Sequence, residues 1–283
     1  MIPGNEALIP DYLERIKDYP NLTLEELGRD NLRFFQVEDS FKFGNEQVFL
    51  AHFAKSLLNI STIRDLEKKK REFRIIDPGA GSGILSVLSS ALIPNVSGLS
   101  IELMERPYNL LQANLIINRL SKRFTALQAD IRELVEQADY PTDWGIGSFD
   151  MAICNPPYFK PNAGAIRDTS TEGGREVEAA RDEVHISLDE YINFVSKSLK
   201  QNGTMVILNR PERLVDVINT AEKHGLKPYL LRQIKTKEYN KPKAFLLAAK
   251  KTNKASFKWA EDLIIYETDG SYTPEVAKYY EGD

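Results

Sequence analysis

The chain has little cysteine, little histidine, no long apolar run and no net positive charge, and each shortage closes off a class of protein. The single cysteine, Cys154, excludes an internal disulfide framework and fits a reducing, cytoplasmic setting. The histidines at 52, 185 and 224 are far apart and carry no metal-ligand spacing, so no metal is expected. No apolar stretch approaches the roughly 20 residues that cross a bilayer. The first residues, Met1 to Glu6, lack the basic and apolar regions of a signal peptide, so no membrane partner is expected. Lys and Arg number 37 against 41 Asp and Glu, a net charge of −4. A polyanionic partner therefore requires basic residues gathered on one face. What is present is ample for a full α/β core: 283 residues, 42% of them apolar and 28% charged.

Two motifs stand out from this ordinary background. Phe149 to Cys154 reads as a buried strand, and Asn155-Pro156-Pro157-Tyr158-Phe159 follows it. Consecutive prolines cannot continue a strand ladder, and the first pushes Asn155 into extended space. The bland reading is a stiffened turn. The chemical reading is a grip on an exocyclic amine whose lone pair is delocalised into a ring. The Asn155 side-chain oxygen and the Pro156 carbonyl each accept one N–H, which frees the lone pair to point at an electrophile, while Tyr158 stacks on the base.

The second motif is Phe73 to Leu85, an apolar strand ending in Asp77-Pro78-Gly79-Ala80-Gly81-Ser82-Gly83 and running into an apolar helix. Glycines let the backbone approach a ligand closely. The spacing is not that of a dinucleotide-phosphate fingerprint. Asp77 instead suits the ammonium of an amino-acid moiety, as in S-adenosylmethionine (SAM). One β-α-β unit later, Glu102 ends a strand where a carboxylate can accept ribose hydroxyls. Asp130 ends the next strand and can take a bond from the cofactor's adenine amine, with Ile131 against the ring. In the SAM-dependent methyltransferases that this pattern resembles, the segment ahead of the glycines folds back over the methionine end, a resemblance that makes Gln36, Phe43 and Gly44 candidates for that contact.

Flanking segments are read more coarsely. Leu8 to Ile16 and Leu22 to Leu32 have helical periodicity, the second opened by a Thr23-x-x-Glu26 capping-box spacing. Residues 160–186 lack apolar periodicity and read as a substrate lid. Leu226 to Ile234 and Ala244 to Ala249 form an edge hairpin. Between 227 and 258, basic residues are opposed only by Glu238. That run reads as a phosphate-tracking surface, with a solvated edge as the plainer alternative.

Asn-Pro-Pro-Tyr with the upstream glycine turn resembles the class I SAM-dependent methyltransferases that act on adenine N6 or glutamine amides. Phe159 points to the adenine branch. Phe41 to Gly44, Asp77 to Gly83, Asn155 to Lys160, Ala180 to Glu183, Arg210 to Leu214 and Tyr272 to Val276 further resemble the bacterial tRNA1(Val) (adenine-37-N6)-methyltransferase family. Asp182 departs from that pattern, where His is usual. The resemblance implies SAM as cofactor, tRNA as partner and N6-methyladenine as product. DNA adenine methylation, protein glutamine methylation and a non-catalytic SAM- or RNA-binding module are the alternatives, in that order. It also implies a Rossmann-like, mostly parallel seven-stranded sheet over 35–260 with an antiparallel edge hairpin; the apolar-periodic stretches ahead of it read as a helical extension over 1–34, and 261–283 as a tail packed on the domain. Phe159, Lys160, Arg181, Arg210, Lys241 and Lys243 are the expected substrate contacts.

Overall fold

A computed structural model describes residues 11–27, 30–37, 44–135, 144–156 and 186–281. The described chain opens with helix α1 (Asp11–Ile16) and an antiparallel hairpin, β1 (Leu22–Leu27) with β2 (Leu32–Val37). The hairpin corrects the expectation of a helix over Leu22 to Leu32. Between its strands Asp30 and Asn31 take left-handed φ of 54° and 52°, which these two residue types tolerate and a helix does not allow. Helices α2 (Asn45–Ser56) and α3 (Ile60–Glu67) follow.

From β3 (Phe73–Pro78) onward, strands and helices alternate: α4 (Ile84–Leu92), β4 (Val96–Glu102), α5 (Glu105–Ile117), β5 (Phe124–Gln128), α6 (Ile131–Leu134) and β6 (Phe149–Cys154). The second half holds α7 (Leu188–Ser198), β7 (Leu199–Asn209), a 3-10 turn at Pro211–Arg213, α8 (Leu214–Lys223), β8 (Leu226–Lys235) and β9 (Ala244–Lys251). Two-residue strands β10 (Lys258–Trp259) and β11 (Leu263–Ile264) and helix α9 (Pro274–Glu281) close it. Capping is local and legible. Ser187 accepts the Glu190 N–H at 3.3 Å and Glu190 Oε2 accepts the Ser187 N–H at 2.9 Å, a complete capping box for α7.

The sheet runs β10-β8-β9-β7-β6-β3-β4-β5, with β11 also on β8. β5, β4, β3, β6 and β7 are parallel, and β9 is antiparallel to both neighbours. This is the class I methyltransferase sheet expected, extended at its edge by β10 and β11. Period-two alternation fills both faces. Ile75, Met151, Ile153, Val206 and Leu246 join one core with α2 and α4. Ile76, Ala152, Cys154, Met205 and Leu247 join the other with α7 and α8.

Chain direction along the sheet reverses between β3 and β6. The chain steps outward through β4 and β5, then returns to the other side of β3. In such sheets a crevice opens at that reversal, outside the carboxyl ends of the strands. Among the described residues no helix is long and apolar enough to cross a membrane.

Candidate active site

Both sequence motifs empty into this crevice. β3 and β6 pair in parallel at Ile75↔Met151 and Ile76↔Ala152. Carried to the strand ends, that register sets Pro78 beside Cys154. The glycine turn and Asn155 therefore leave the sheet side by side. Tyr191 of α7 holds the two ends together: its buried hydroxyl donates to the Pro78 carbonyl at 2.7 Å and its side chain also bonds the Cys154 thiol. Burial pushes that thiol well up, which keeps it neutral and makes it a packing group. Tyr191 was not singled out by sequence, where it is one more aromatic on an amphipathic helix.

Within the turn the glycines divide their work. Gly79, Gly81 and Gly83 have φ of 72°, 55° and 83°. A Cβ on Gly79 or Gly81 would meet nothing within 4 Å, so open space lies over both. A Cβ on Gly83 would stand 2.5 Å from Leu111 Cδ1, so this glycine serves the packing of the turn on α5. Gly79 and Ala80 donate their N–H groups to the Ile101 carbonyl at 2.8 and 2.9 Å.

Carboxylates line the same edge. Glu102 is clamped by the Gly81 N–H on Oε2 at 2.8 Å and the Met104 N–H on Oε1 at 2.9 Å, which fixes its carboxylate at the end of β4. Asp77 is 1% exposed. Its Oδ2 accepts from Ser86 Oγ at 3.3 Å, and its Oδ1 is buried without a hydrogen-bond partner. Burial raises this carboxyl to about 7; the Ser86 bond opposes the shift and the Glu102 charge adds to it. A buried carboxylate oxygen lacking a donor, beside two open glycines, is a fitting seat for an ammonium. The residues present thus fit SAM: Asp77 for its ammonium, Glu102 for its ribose, and Gly79 and Gly81 for close backbone approach.

The remaining expected contacts fare differently. Asp130 caps α6 through the Arg132 N–H at 2.9 Å and is chelated by the Arg132 guanidinium, with Nε 3.0 Å from both oxygens. A bond to an adenine amine would share a carboxylate already engaged. Ile131 is buried beside Leu134 in the second core. Gln36 is buried on β2, next to Phe35. Phe35 donates its N–H to Asn114 Oδ1 at 2.7 Å, while Asn114 Nδ2 donates to the Phe35 carbonyl at 3.1 Å and the Ser82 carbonyl at 2.8 Å. One buried amide on α5 therefore holds β2 against the cofactor turn. Asn118, one helical turn on, accepts the Arg33 N–H at 3.1 Å and donates to its carbonyl at 2.7 Å. The signal in the sequence was two asparagines four apart, Asn114 and Asn118, flanking the apolar run Leu115 to Ile117 at the end of the helix. Phe43, Tyr158, Phe159, Lys160 and Arg181 lie outside the described residues, as does the expected lid apart from Ile186.

The basic run is corrected most. Lys227 pairs with Glu222 at 3.2 Å, Arg232 with Glu275 at 2.6 Å and Lys235 with Asp262 at 2.6 Å. Lys251 donates to the Ser196 and Leu199 carbonyls at 2.6 and 2.9 Å, closing the carboxyl end of α7. Part of the run is thus engaged within its own fold, so a phosphate track over all of 227–258 is not formed. At the carboxyl edge, Arg210 Nη1 and Lys243 Nζ share the Glu46 carboxylate at 2.9 and 3.5 Å, while Lys241 is exposed. Among the described residues no cluster of His, Cys, Asp or Glu could hold a metal ion.

No family model matches the chain. It is similar to the tRNA1(Val) (adenine(37)-N6)-methyltransferase of Shewanella woodyi, 29% identical over 210 residues, which are 71% of this chain and 80% of that one. The enzyme of the same name from Porphyromonas gingivalis is 24% identical over 208 residues, covering 73% and 77%. In fold it is similar to a predicted O-methyltransferase of Agrobacterium tumefaciens, with a TM-score of 0.59 at 18% identity, covering 83% of this chain and 94% of that one. Distant homology and a shared fold make the chain an enzyme of the methyltransferase class.

Proposed function

We propose that the chain methylates the N6 amine of an unpaired adenine in RNA, with SAM as donor and the anticodon-loop adenine 37 of a tRNA as target. The observation that carries this reading is the adjacency of β3 and β6, which brings Asn155-Pro156 out beside the glycine turn. When bound there, SAM supplies a methyl group on a sulfonium. The protein's part is to aim the amine. Asn155 Oδ1 and the Pro156 carbonyl accept its two N–H bonds, which draws the nitrogen out of conjugation with the ring and fixes the direction of its lone pair. Tyr158 and Phe159 grip the base.

Two considerations favour RNA over DNA. The described residues are spent on one sheet and its covering helices, leaving no separate unit to read base edges in a groove. An adenine already unpaired in a loop is cheaper to extrude than one in a duplex. The named relatives act on tRNA, which supports the same choice. Residues 35–260 would form the catalytic domain. Tritiated SAM incubated with total tRNA, total DNA and a release factor in parallel tests the reading. Label in tRNA is expected; label in DNA alone, or in the release factor alone, would replace it with one of the alternatives.

A further inference from the structure

The carboxyl edge of the sheet does not end at Asn155. Beyond β6 come the ends of β7 and β9 and the turn joining β8 to β9, three strand spacings away, or roughly 14 Å. Tyr239 stands on that turn and is 93% exposed. The turn beneath it is firmly built. Lys243 donates its N–H to the Ile234 carbonyl at 2.8 Å, Asn240 Nδ2 donates to Thr236 Oγ1 at 2.6 Å, and Lys237 Nζ donates to the Thr268 carbonyl at 3.0 Å. Tyr266 donates its N–H to the Thr236 carbonyl at 2.9 Å, which fastens the next feature to the same turn.

That feature is a column of three tyrosines. Tyr266 and Tyr272 stack at 5.4 Å with 10° between planes, and Tyr272 and Tyr280 at 5.4 Å with 12°. Tyr272 is 39% exposed, and its hydroxyl accepts from Asn45 Nδ2, at the start of α2, at 3.3 Å. An aromatic ring held in water on a rigid turn gains nothing for the fold. The turn fixes where the ring is presented, so the backbone needs no reordering when a flat partner lands on it. The surroundings carry cations: Lys241 is exposed on the same turn, Lys243 and Arg210 share Glu46, and Lys237 lies near Asp269. Exposed aromatic faces interleaved with cations are what a single-stranded nucleic acid recognises, base on ring and phosphate on lysine.

We propose that Tyr239 is a stacking platform for a single-stranded nucleotide flanking the target adenine, with Lys241 meeting its phosphate and the column around Tyr272 bracing the turn. The inference deepens the RNA reading above and rests on it. The platform extends the substrate path from Asn155 past Arg210 and Lys243 to the outer part of the sheet. It also explains why Lys241 keeps its charge exposed while Lys227, Arg232 and Lys235 do not.

The test is binding of a synthetic stem-loop RNA with an unpaired loop adenine, followed by fluorescence anisotropy over a salt series, with SAM affinity measured by calorimetry on the same variants. Tyr239→Ala should weaken RNA binding roughly tenfold with SAM affinity unchanged, and Tyr239→Phe should restore it. Lys241→Gln should lower the salt slope by about one, which Tyr239→Ala leaves alone. A 5-iodouridine placed beside the adenine should crosslink to Tyr239. Wild-type RNA affinity in Tyr239→Ala, or crosslinking at another exposed aromatic pair, Phe257 and Trp259 at β10, overturns the platform and leaves the methyltransferase reading standing. A dimer that Tyr239→Ala turns into a monomer, with RNA affinity unmoved, assigns the face to a second copy instead. A wild-type chain that methylates no RNA but binds the stem-loop through Tyr239 overturns the function and keeps the platform.

Discussion

Asp77 makes the sharpest statement available at the scale of a single residue. Its carboxyl sits near 7 because it is buried, with Ser86 as its one donor and the Glu102 charge nearby. Its ordinary value is 3.8, so the free folded protein holds an extra proton between about pH 4 and 7. The sign follows. This group favours the folded state at low pH, and that advantage is lost as pH rises through about 7. A bound ammonium reverses the preference, because it stabilises the carboxylate. SAM binding at pH 6 should therefore release a proton, and affinity should fall by up to about tenfold per pH unit below 7. Calorimetry in two buffers of different ionisation enthalpy reads the proton directly. Asp77→Asn should weaken binding and abolish the proton release; release persisting in that variant would assign it to another group.

At the scale of elements, the glycine turn and α5 hold the site together by two separable means. Gly83→Ala forces a Cβ toward Leu111 at a φ of 83°, so it should cost about 1–3 kcal/mol in urea unfolding. Gly79→Ala has room for its methyl, so it should cost less stability and more SAM affinity. Equal stability losses in the two would contradict the division of labour. Asn114→Ala removes a buried amide that bonds β2 and the Ser82 carbonyl, so about 2–3 kcal/mol should be lost on chemical denaturation. Alternating apolar strands from β3 to β9 were legible because both faces of the sheet are buried and the pattern is local. The hairpin β1–β2 was not. Thr23-x-x-Glu26 suits a helix start and a strand equally well, and what decides between them is partly remote, the asparagines of α5. The left-handed Asp30-Asn31 pair was the local clue.

Taken whole, the molecule carries a net negative charge, so its attraction for a polyanion must be local. The basic run misled on this point for a physical reason: its partners Glu222, Asp262 and Glu275 oppose it in space, and only their placement shows which cations are spent. Charge reversal at both Lys241 and Lys243 should weaken RNA binding and flatten its salt dependence. An unaltered slope would put the basic face elsewhere. Asn155, the glycines and Glu102 lie in that order along the carboxyl edge because the strands run β6-β3-β4. The central claim is that Asn155 aims an acceptor amine and does not build the cofactor pocket. Its most direct test is Asn155→Ala, assayed for SAM affinity and for methyl transfer to tRNA in one preparation. Transfer should fall by about a hundredfold or more while SAM affinity stays near wild type. Transfer that survives, or affinity and transfer lost together, would contradict it.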